Sequence, residues 1–340
     1  ASFGQNQINH YLSNTINASM GSESPTDFYL GRLQQTEANF NLDFVYAWEN
    51  ALLAYPANIA FGIESRKETY EIKTGETASY LVGPAAAEGL PSGANGFPGY
   101  GPDQAGKYDQ QSYAAYIDTE LALTEQFSAG MAVRYEDYSE FGNTLDGKVS
   151  LRLALAENFA LRGTVSTGFR APTPGQLEST RTSQGLDTVT LNLFTTGRLA
   201  PSSPVAQYFG AQPLTPEESV SFSVGATFRT DSGFSGSVDM YQINVDDRFG
   251  QSQSYAINDE VRQQLLAQGV PGAETLTSVN FFTNAFDTQT QGIDIAGNYA
   301  LNTSVGELTF AGAVNYNKTE VTRQDGTIGD YGVVRIEKGL

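Results

Sequence analysis

The chain has no cysteine and only one histidine, His10, among its 340 residues. Disulfide bonds, thiolate metal sites and a cysteine nucleophile are therefore excluded, and a histidine-rich metal site cannot be built. Basic residues are also scarce, since 19 lysines and arginines stand against 38 aspartates and glutamates, for a formal net charge of −19. A chain this acidic repels nucleic-acid phosphates, so we expect no nucleic-acid partner.

Long apolar runs are missing as well. No stretch of about 20 apolar residues occurs, which is the length that a membrane-spanning helix needs. The chain opens with neither a methionine nor a signal peptide, so we expect an internal fragment of a longer protein. What the chain does contain is 35 glycines, 18 tyrosines and 20 phenylalanines, a composition that suits strands and turns better than helices.

Alternation of apolar and polar side chains is the dominant pattern. Between Phe159 and Arg170 the odd positions are mostly apolar, whereas the even positions are small, polar or cationic. This period of two recurs in about eleven segments, many of them longer than the roughly 10 residues that cross a bilayer at a tilt. We expect the apolar faces to point outward and the charged faces to point inward. The predicted lumen-facing residues are Asp43, Glu64, Arg66, Arg134, Arg152 and Arg162.

The connections between these segments alternate between short and long. The long ones run over residues 21–32, 75–106, 171–214 and 252–274. Short turns on one side and long loops on the other are typical of outer-membrane barrels. A shift of polarity around Tyr241 and Gln242 predicts a β-bulge, and Asp259 and Gly269 are the expected ends of a helix in the last long loop.

Four segments resemble those of TonB-dependent outer-membrane receptors. The first contains Gly168, Phe169, Arg170, Ala171 and Pro172, which matches the Gly-Phe-Arg-Ala-Pro run of that family. Each match is weak alone, but four in the same order over about 130 residues make the resemblance strong. The other three segments are residues 214–219, which resemble Leu-x-Pro-Glu-x-Ser; residues 241–249, which resemble Tyr-x-Ile-x-Ile-x-Asp-Arg-Ile; and residues 284–294, which resemble Asn-Ala followed by Thr-x-Gly-Val-Asp.

The resemblance implies an all-β fold. Residues 1–340 would form an antiparallel transmembrane β-barrel fragment with long external loops, about 11 to 12 strands of a 22-stranded barrel, without the plug domain. It also implies the outer membrane of a Gram-negative bacterium as the location. The implied function is TonB-dependent uptake of a scarce ligand, such as a ferric siderophore, cobalamin or an oligosaccharide. The implied partners are outer-membrane lipid, a small-molecule ligand, and the plug domain and TonB complex, which are reached through the rest of the parent chain.

We expect the external loops to capture the ligand. Arg181, Arg198, Tyr208 and Tyr100 are the candidate contacts, because an arginine offers a fork of donors to a carboxylate. The alternative is that each of these four side chains is a solvated loop residue that contacts no ligand. No catalytic constellation, metal site or cofactor site is expected, so we expect no enzyme. A passive porin-like channel and a secreted β-rich adhesin or lectin remain the alternative functions.

Overall fold

One continuous antiparallel sheet dominates the computed structural model, which describes residues 1–50, 53–186, 193–270, 273 and 276–328. Eleven long strands form a meander in which each pairs with the next, while β8, β9 and β12 are short strands within loops. The strands are β1 (Ser2–Ser13), β2 (Asp27–Trp48), β3 (Ala57–Thr74), β4 (Gly106–Ala122), β5 (Phe127–Tyr138), β6 (Gly142–Ala156), β7 (Phe159–Arg170), β8 (Arg181–Leu186), β9 (Leu193–Leu199), β10 (Glu217–Arg229), β11 (Phe234–Gln251), β12 (Tyr255–Ala256), β13 (Ser278–Thr303) and β14 (Gly306–Gln324).

The predicted strand architecture is confirmed, and the sheet is open between β1 and β14 in the described residues. No helix in this part of the chain is long and apolar enough to cross a membrane. Eleven of the 11 to 12 expected strands are present, and the residues from Tyr331 onward, where a twelfth would begin, lie outside the described residues. The helices are α1 (Thr77–Tyr80), α2 (Pro174–Glu178), α3 (Pro204–Tyr208) and α4 (Asp259–Ala267), with short 3-10 segments at Ala18–Glu23 and Pro84–Glu88.

The two faces of the sheet differ in polarity as predicted. Leu161 pairs with Leu153 and Arg162 pairs with Arg152 across β6 and β7. Directly paired residues share a face and successive residues alternate, so Leu161 and Arg162 lie on opposite faces. We call these the apolar face and the charged face. Two cavities, one lined by Arg152 and the other by Arg134, open on the charged face, which is therefore the concave side of the wall.

Glycines on the charged face let side chains meet across an intervening strand. Arg162 on β7 and Asp239 on β11 both pair with Gly225 of β10, and the Arg162 Nε donates to the Asp239 Oδ1 at 2.7 Å. A Cβ at Gly225 would lie 2.0 Å from that carboxylate oxygen. The contact therefore depends on the missing side chain. The same arrangement recurs at Gly62, which Tyr116 crosses to reach Asp43, and at Gly292, which Tyr241 crosses to reach Asn315.

The bulge predicted at Tyr241 is not there. The register between β10 and β11 is continuous through that position, and the irregularity lies between Val245 and Arg248, where Asp247 has a φ of +53°. The polarity shift has another cause, because Met240 and Gln242 lie on the same apolar-face side of an unbroken strand. We infer that the strand leaves the apolar layer there. Beyond Met240, this face of β11 and β13 carries amides that bond to one another, namely Gln242, Asn244, Gln289 and Gln291.

The apolar layer has a measurable height on β14. Its apolar-face residues run from Leu308 to Tyr316, and Lys318 follows. At a rise of about 3.3 Å per residue this run spans about 26 Å along the strand, or about 20 Å along the membrane normal at a tilt of about 40°. The value is close to the outward-facing apolar band of about 25 Å that outer-membrane barrels carry.

The long connections 171–216 and 252–277 fold together. β9, from the connection 171–216, pairs in parallel with the start of β13, and α4 covers this junction from the connection 252–277. Asn258, one residue before the predicted cap, caps α4 by accepting from the Val261 N–H at 2.9 Å. The shared core consists of Leu199, Val205, Ala206, Ala211, Ile257, Leu265, Ala273, Leu276, Val279 and Phe281.

We predict that Gly225→Ala destabilises the folded wall by about 1 to 3 kcal/mol, as overpacking does elsewhere. The added methyl displaces the Asp239 carboxylate and separates it from Arg162. Thermal unfolding in detergent micelles, followed by circular dichroism, measures the effect. Gly163→Ala is the matched control, because its Cβ would meet only the Ser223 carbonyl oxygen at 3.5 Å. Equal melting temperatures for the two variants would contradict the crossing arrangement.

Candidate functional site

Two arginines lie side by side in the external loops. Arg181 on β8 and Arg198 on β9 are direct cross-strand partners, so their side chains leave the same face of this hairpin. The Arg181 guanidinium stacks on Phe97 at 4.8 Å from the ring centre, and the Arg198 guanidinium stacks on Phe282 at 5.5 Å. Stacking holds each plane in place and leaves its edge N–H groups available.

Among the residues that the structure describes, no carboxylate neutralises this arginine pair. Across the described ranges, neither Arg181 nor Arg198 has an aspartate or glutamate oxygen within 4.0 Å. The buried Arg198 Nε also has no hydrogen-bond partner within the described part of the chain. Like charges directly opposite each other destabilise a strand pair. In a chain of net charge −19, this uncompensated pair is suited to an anion from outside.

Tyr100 adds a buried phenol to the arginine pair. Tyr100 is only 3% exposed, and its ring packs edge-on against the Phe97 ring, with 5.9 Å between the ring centres. Burial raises the pKa of the Tyr100 phenol, while the positive charges of Arg181 and Arg198 oppose that rise. The phenol therefore stays protonated at neutral pH and keeps an O–H donor beside the two guanidinium groups.

His10 and Phe97 complete the cluster, and the sequence did not predict either of them as site residues. The His10 ring stacks on Phe97 at 5.8 Å and meets Tyr100 at 6.1 Å. The buried His10 Nδ1 has no hydrogen-bond partner among the described residues. His10 follows the ordinary alternation of β1 and Phe97 lies in a glycine-rich loop, so no local pattern identifies them. We call Arg181, Arg198, Tyr100, His10 and Phe97 the loop site.

Backbone bonds fix Tyr100 against the end of the wall. The Tyr100 N–H donates to the Leu30 carbonyl at 2.9 Å, and the Gly75 N–H donates to the Tyr100 carbonyl at 3.0 Å. Gly31, beside this junction, has a φ of +116°, and a Cβ there would lie 2.5 Å from the Lys73 carbonyl oxygen. Only glycine fits this position, so the loop is held by the strands beneath it.

Tyr208 is not part of the loop site, contrary to its grouping with the arginines. Its hydroxyl donates to the Gln264 Oε1 at 2.7 Å, and its ring packs against Phe209 at 5.2 Å. The hydroxyl contact ties α3 to α4 beside the shared core of the connections 171–216 and 252–277. The role of Tyr208 is thus explained by packing between loops.

The charged face carries ion pairs that join several strands. The structure places Glu64, Arg66 and Arg134 together, beside a cavity of about 550 Å³. Glu136 is 5% exposed and accepts from the Ser112 hydroxyl at 3.1 Å as well. Each arginine is shared between two carboxylates, which fixes its position on the wall. The contacts are Arg66–Glu37 (3.2 Å), Arg66–Glu68 (2.8 Å), Arg134–Glu64 (3.2 Å) and Arg134–Glu136 (2.9 Å).

The remaining predicted lumen residues lie on the same charged face but apart from this network. Asp43 accepts from the Tyr116 hydroxyl at 2.7 Å, and Arg162 binds Asp239. Arg152 has no carboxylate within 4.0 Å in the part of the chain that the structure describes, and it lines the second cavity, of about 1090 Å³.

The segment that carries the family resemblance closes the base of the longest connection. Arg170, the last residue of β7, lies 3.6 Å from the carboxylate of Glu217, the first residue of β10, and its guanidinium lies over the Phe249 ring at 5.5 Å. Glu217, only 6% exposed, also accepts from the Phe249 N–H at 2.7 Å. Three motif segments therefore meet at one point. Of the other motif residues, Gly168 accepts at its carbonyl from the Ser219 hydroxyl, Phe169 packs on Tyr138, Ala171 is half-buried and Pro172 is fully buried.

Asn284, from the fourth motif segment, ties three strands at the same level. Its Oδ1 accepts from the Thr215 N–H at 2.9 Å, and its Nδ2 donates to the Thr215 carbonyl at 2.8 Å and to the Asp247 carbonyl at 2.6 Å. One side chain thus satisfies the backbone where β10 begins and where β11 bulges. The sequence identified the motif, but the pairing of its members depends on strand register.

We predict that Asn284→Ala loosens the connection 171–216, since three hydrogen bonds worth roughly 1 kcal/mol each are lost. The measurement is the rate at which protease added to intact cells cleaves this connection. Asn302→Ala, at the opposite end of β13, is the control and should leave the rate unchanged. If the Asn284→Ala variant is cleaved no faster than the control, the hydrogen bonds of Asn284 do not hold this connection.

The family model described as TonB dependent receptor-like, beta-barrel matches residues 1–336. No curated protein is significantly similar to the chain in sequence.

Solved structures give the same fold. The siderophore receptor PirA from Acinetobacter baumannii superposes with a TM-score of 0.54 at 17% identity, over 94% of this chain and 41% of that one. A mutant of the ferric enterobactin receptor PfeA from Pseudomonas aeruginosa gives 0.53 at 13% identity, over 94% and 40%. The RagAB peptide transporter gives 0.53 at 10% identity, over 96% and 35%. The chain therefore spans less than half the length of each of these structures.

Proposed function

Because the chain belongs to the family of TonB-dependent receptor β-barrels, we propose that it forms part of the wall and the external loops of an outer-membrane uptake receptor. The family consists of receptors and transporters, and nothing in it supports a secreted adhesin or lectin. The apolar face of the sheet is exposed, with Val224 at 60% and Leu161 at 40%, which suits contact with lipid. The charged face then borders the lumen, where the plug domain of the same receptor would pack.

The ligand that we propose is an anionic metal chelate of the ferric siderophore class. The observation that carries this choice is the uncompensated pair of Arg181 and Arg198 in the loop site. Two fixed guanidinium groups bind carboxylate or catecholate oxygens by charge-assisted hydrogen bonds, whereas an uncharged oligosaccharide gains little from them. The aromatic rings of Phe97 and Tyr100 suit the flat donor groups of such ligands.

The transport mechanism follows from where the loop site lies. Its residues join the extracellular end of β1 to the loops above the lumen, so a ligand bound there sits over the plug. We propose that the loops capture the ligand and that the TonB complex, acting through the plug, drives its passage. A passive porin-like channel would take up solutes without that energy. Uptake that stops when the TonB complex is removed therefore separates the two functions.

We predict that the double variant Arg181→Ala/Arg198→Ala weakens binding of a ferric siderophore to the receptor by at least about 100-fold, since each lost charge-assisted bond is worth roughly 1.5 to 3 kcal/mol. Quenching of tryptophan fluorescence in the purified receptor measures the affinity. Arg181→Lys/Arg198→Lys keeps the charge without the fork and should fall between the wild type and the alanine variant.

Tyr208→Phe is the matched control for this experiment. The structure places Tyr208 in loop packing, so its affinity for the ferric siderophore should equal that of the wild type. Unchanged affinity in the double alanine variant, with a folded barrel, would show that capture occurs elsewhere in the receptor.

A further inference from the structure

Most lysines of the wall lie on its outward, apolar-face side. Of the five lysines that the structure describes, Lys67, Lys73, Lys107 and Lys318 lie on the apolar-face side, and only Lys148 lies on the charged face. The arginines of the charged-face ion pairs bind carboxylates in fixed geometry. This placement suggests that the outward cations meet something other than the protein.

Three of the outward lysines and one arginine form a basic patch on β2, β3 and β4, defined by Arg32, Lys67, Lys73 and Lys107. Arg32 pairs directly with Lys73 across β2 and β3. Lys107 of β4 pairs with Glu71 of β3, and Glu71 lies next to Lys73 on the same face of β3. The patch therefore covers neighbouring strands as one surface.

The basic patch begins directly above the apolar layer. On the outward side of β3, Ile63 is the last apolar residue, and Ser65 and Lys67 follow it. Lys67 lies about 13 Å from Ile63 along the strand at about 3.3 Å per residue, and Lys73 lies farther out. In the proposed orientation, this is the level at which lipid headgroups begin.

The charges of the basic patch are only half balanced by protein carboxylates. Lys67 lies 3.4 Å from Asp109, and Glu71 serves both Lys73 at 3.5 Å and Arg32 at 3.7 Å. Four cations thus share two carboxylates in a chain of net charge −19. At the same level of β11 and β13 the outward side carries the amides Gln242, Asn244, Gln289 and Gln291, so the excess of positive charge is local.

We propose that the basic patch binds the phosphate groups of outer-leaflet lipid. This inference rests on the outer-membrane location in the proposed function. Lysine suits the role because its flexible stem lies along apolar surface while the ammonium reaches a headgroup. The lysine side chains at positions 67 and 73 are 52% and 49% exposed, so they are free to do so. The bound lipid would anchor one side of the barrel and leave the amide-lined side free.

The experiment is native mass spectrometry of the purified receptor in detergent micelles with lipid A that carries two phosphates. We expect Lys67→Gln/Lys73→Gln/Lys107→Gln to weaken lipid A binding on the order of ten- to a hundredfold, since each surface lysine contributes about a factor of five toward anionic lipid. Lys67→Arg/Lys73→Arg/Lys107→Arg should retain binding. Lys318→Gln, an outward lysine on β14, should bind lipid A as the wild type does.

Two further arms identify the source of the phosphate and separate this inference from the proposed function. The wild type should bind dephosphorylated lipid A no more tightly than the triple glutamine variant binds it. Three results would each overturn the lipid site. The first is equal binding of both lipids to the wild type, and the second is equal binding of lipid A to the wild type and to the triple glutamine variant. The third is displacement of lipid A by millimolar inorganic phosphate. Ferric siderophore uptake by the triple glutamine variant should be unchanged. A receptor that binds lipid A as expected but takes up no siderophore would contradict the proposed function alone.

Discussion

The pairing of each long strand with the next, from β1 to β14, is the constraint on which the rest of the structure depends. In an apolar layer no water satisfies a peptide group, so every strand must pair with the next. Once the register is fixed, each residue is committed to one face. Leu161 must then face away from Arg162, and a slip of one residue would exchange the two faces along the whole strand. The charged-face contacts, such as Arg162 with Asp239 across Gly225, follow from that register.

The same strand pairing also supports the loops. The strands extend beyond the apolar layer, and their upper ends carry the contacts that shape the longest connections. Glu217 and Asn284 satisfy backbone groups where β10 and β11 change direction, and β9 continues the pairing onto β13. The segments that resemble the receptor family are those junctions. Their residues are explained by closing the base of the loops, whereas the loop site itself lies above them.

The sequence predicted the fold better than the site, for physical reasons. Alternation has a period of two and is local, so the strands and faces could be predicted from residues such as those between Phe159 and Arg170. The polarity shift at Tyr241 was misinterpreted because a strand that leaves the apolar layer gives the same pattern as a bulge. Arg181, Arg198 and Tyr100 were predicted as separate loop residues, and their meeting depends on contacts between distant loops. His10 and Phe97 carried no local pattern at all, and the hydrogen bond of Tyr208 to α4 joins two distant loops, which the sequence did not predict.

The orientation of the wall is the central claim, and the absence of cysteine makes it directly measurable. Single cysteines introduced as Leu161→Cys, Val224→Cys, Thr164→Cys and Ser223→Cys can carry a nitroxide label in the receptor reconstituted into lipid bilayers. The account predicts that labels at positions 161 and 224 collide with dissolved oxygen, which concentrates in lipid. Labels at positions 164 and 223 should collide instead with a water-soluble nickel complex or be shielded from both reagents by the plug. Access of the nickel complex to positions 161 and 224, with oxygen favoured at 164 and 223, would contradict it.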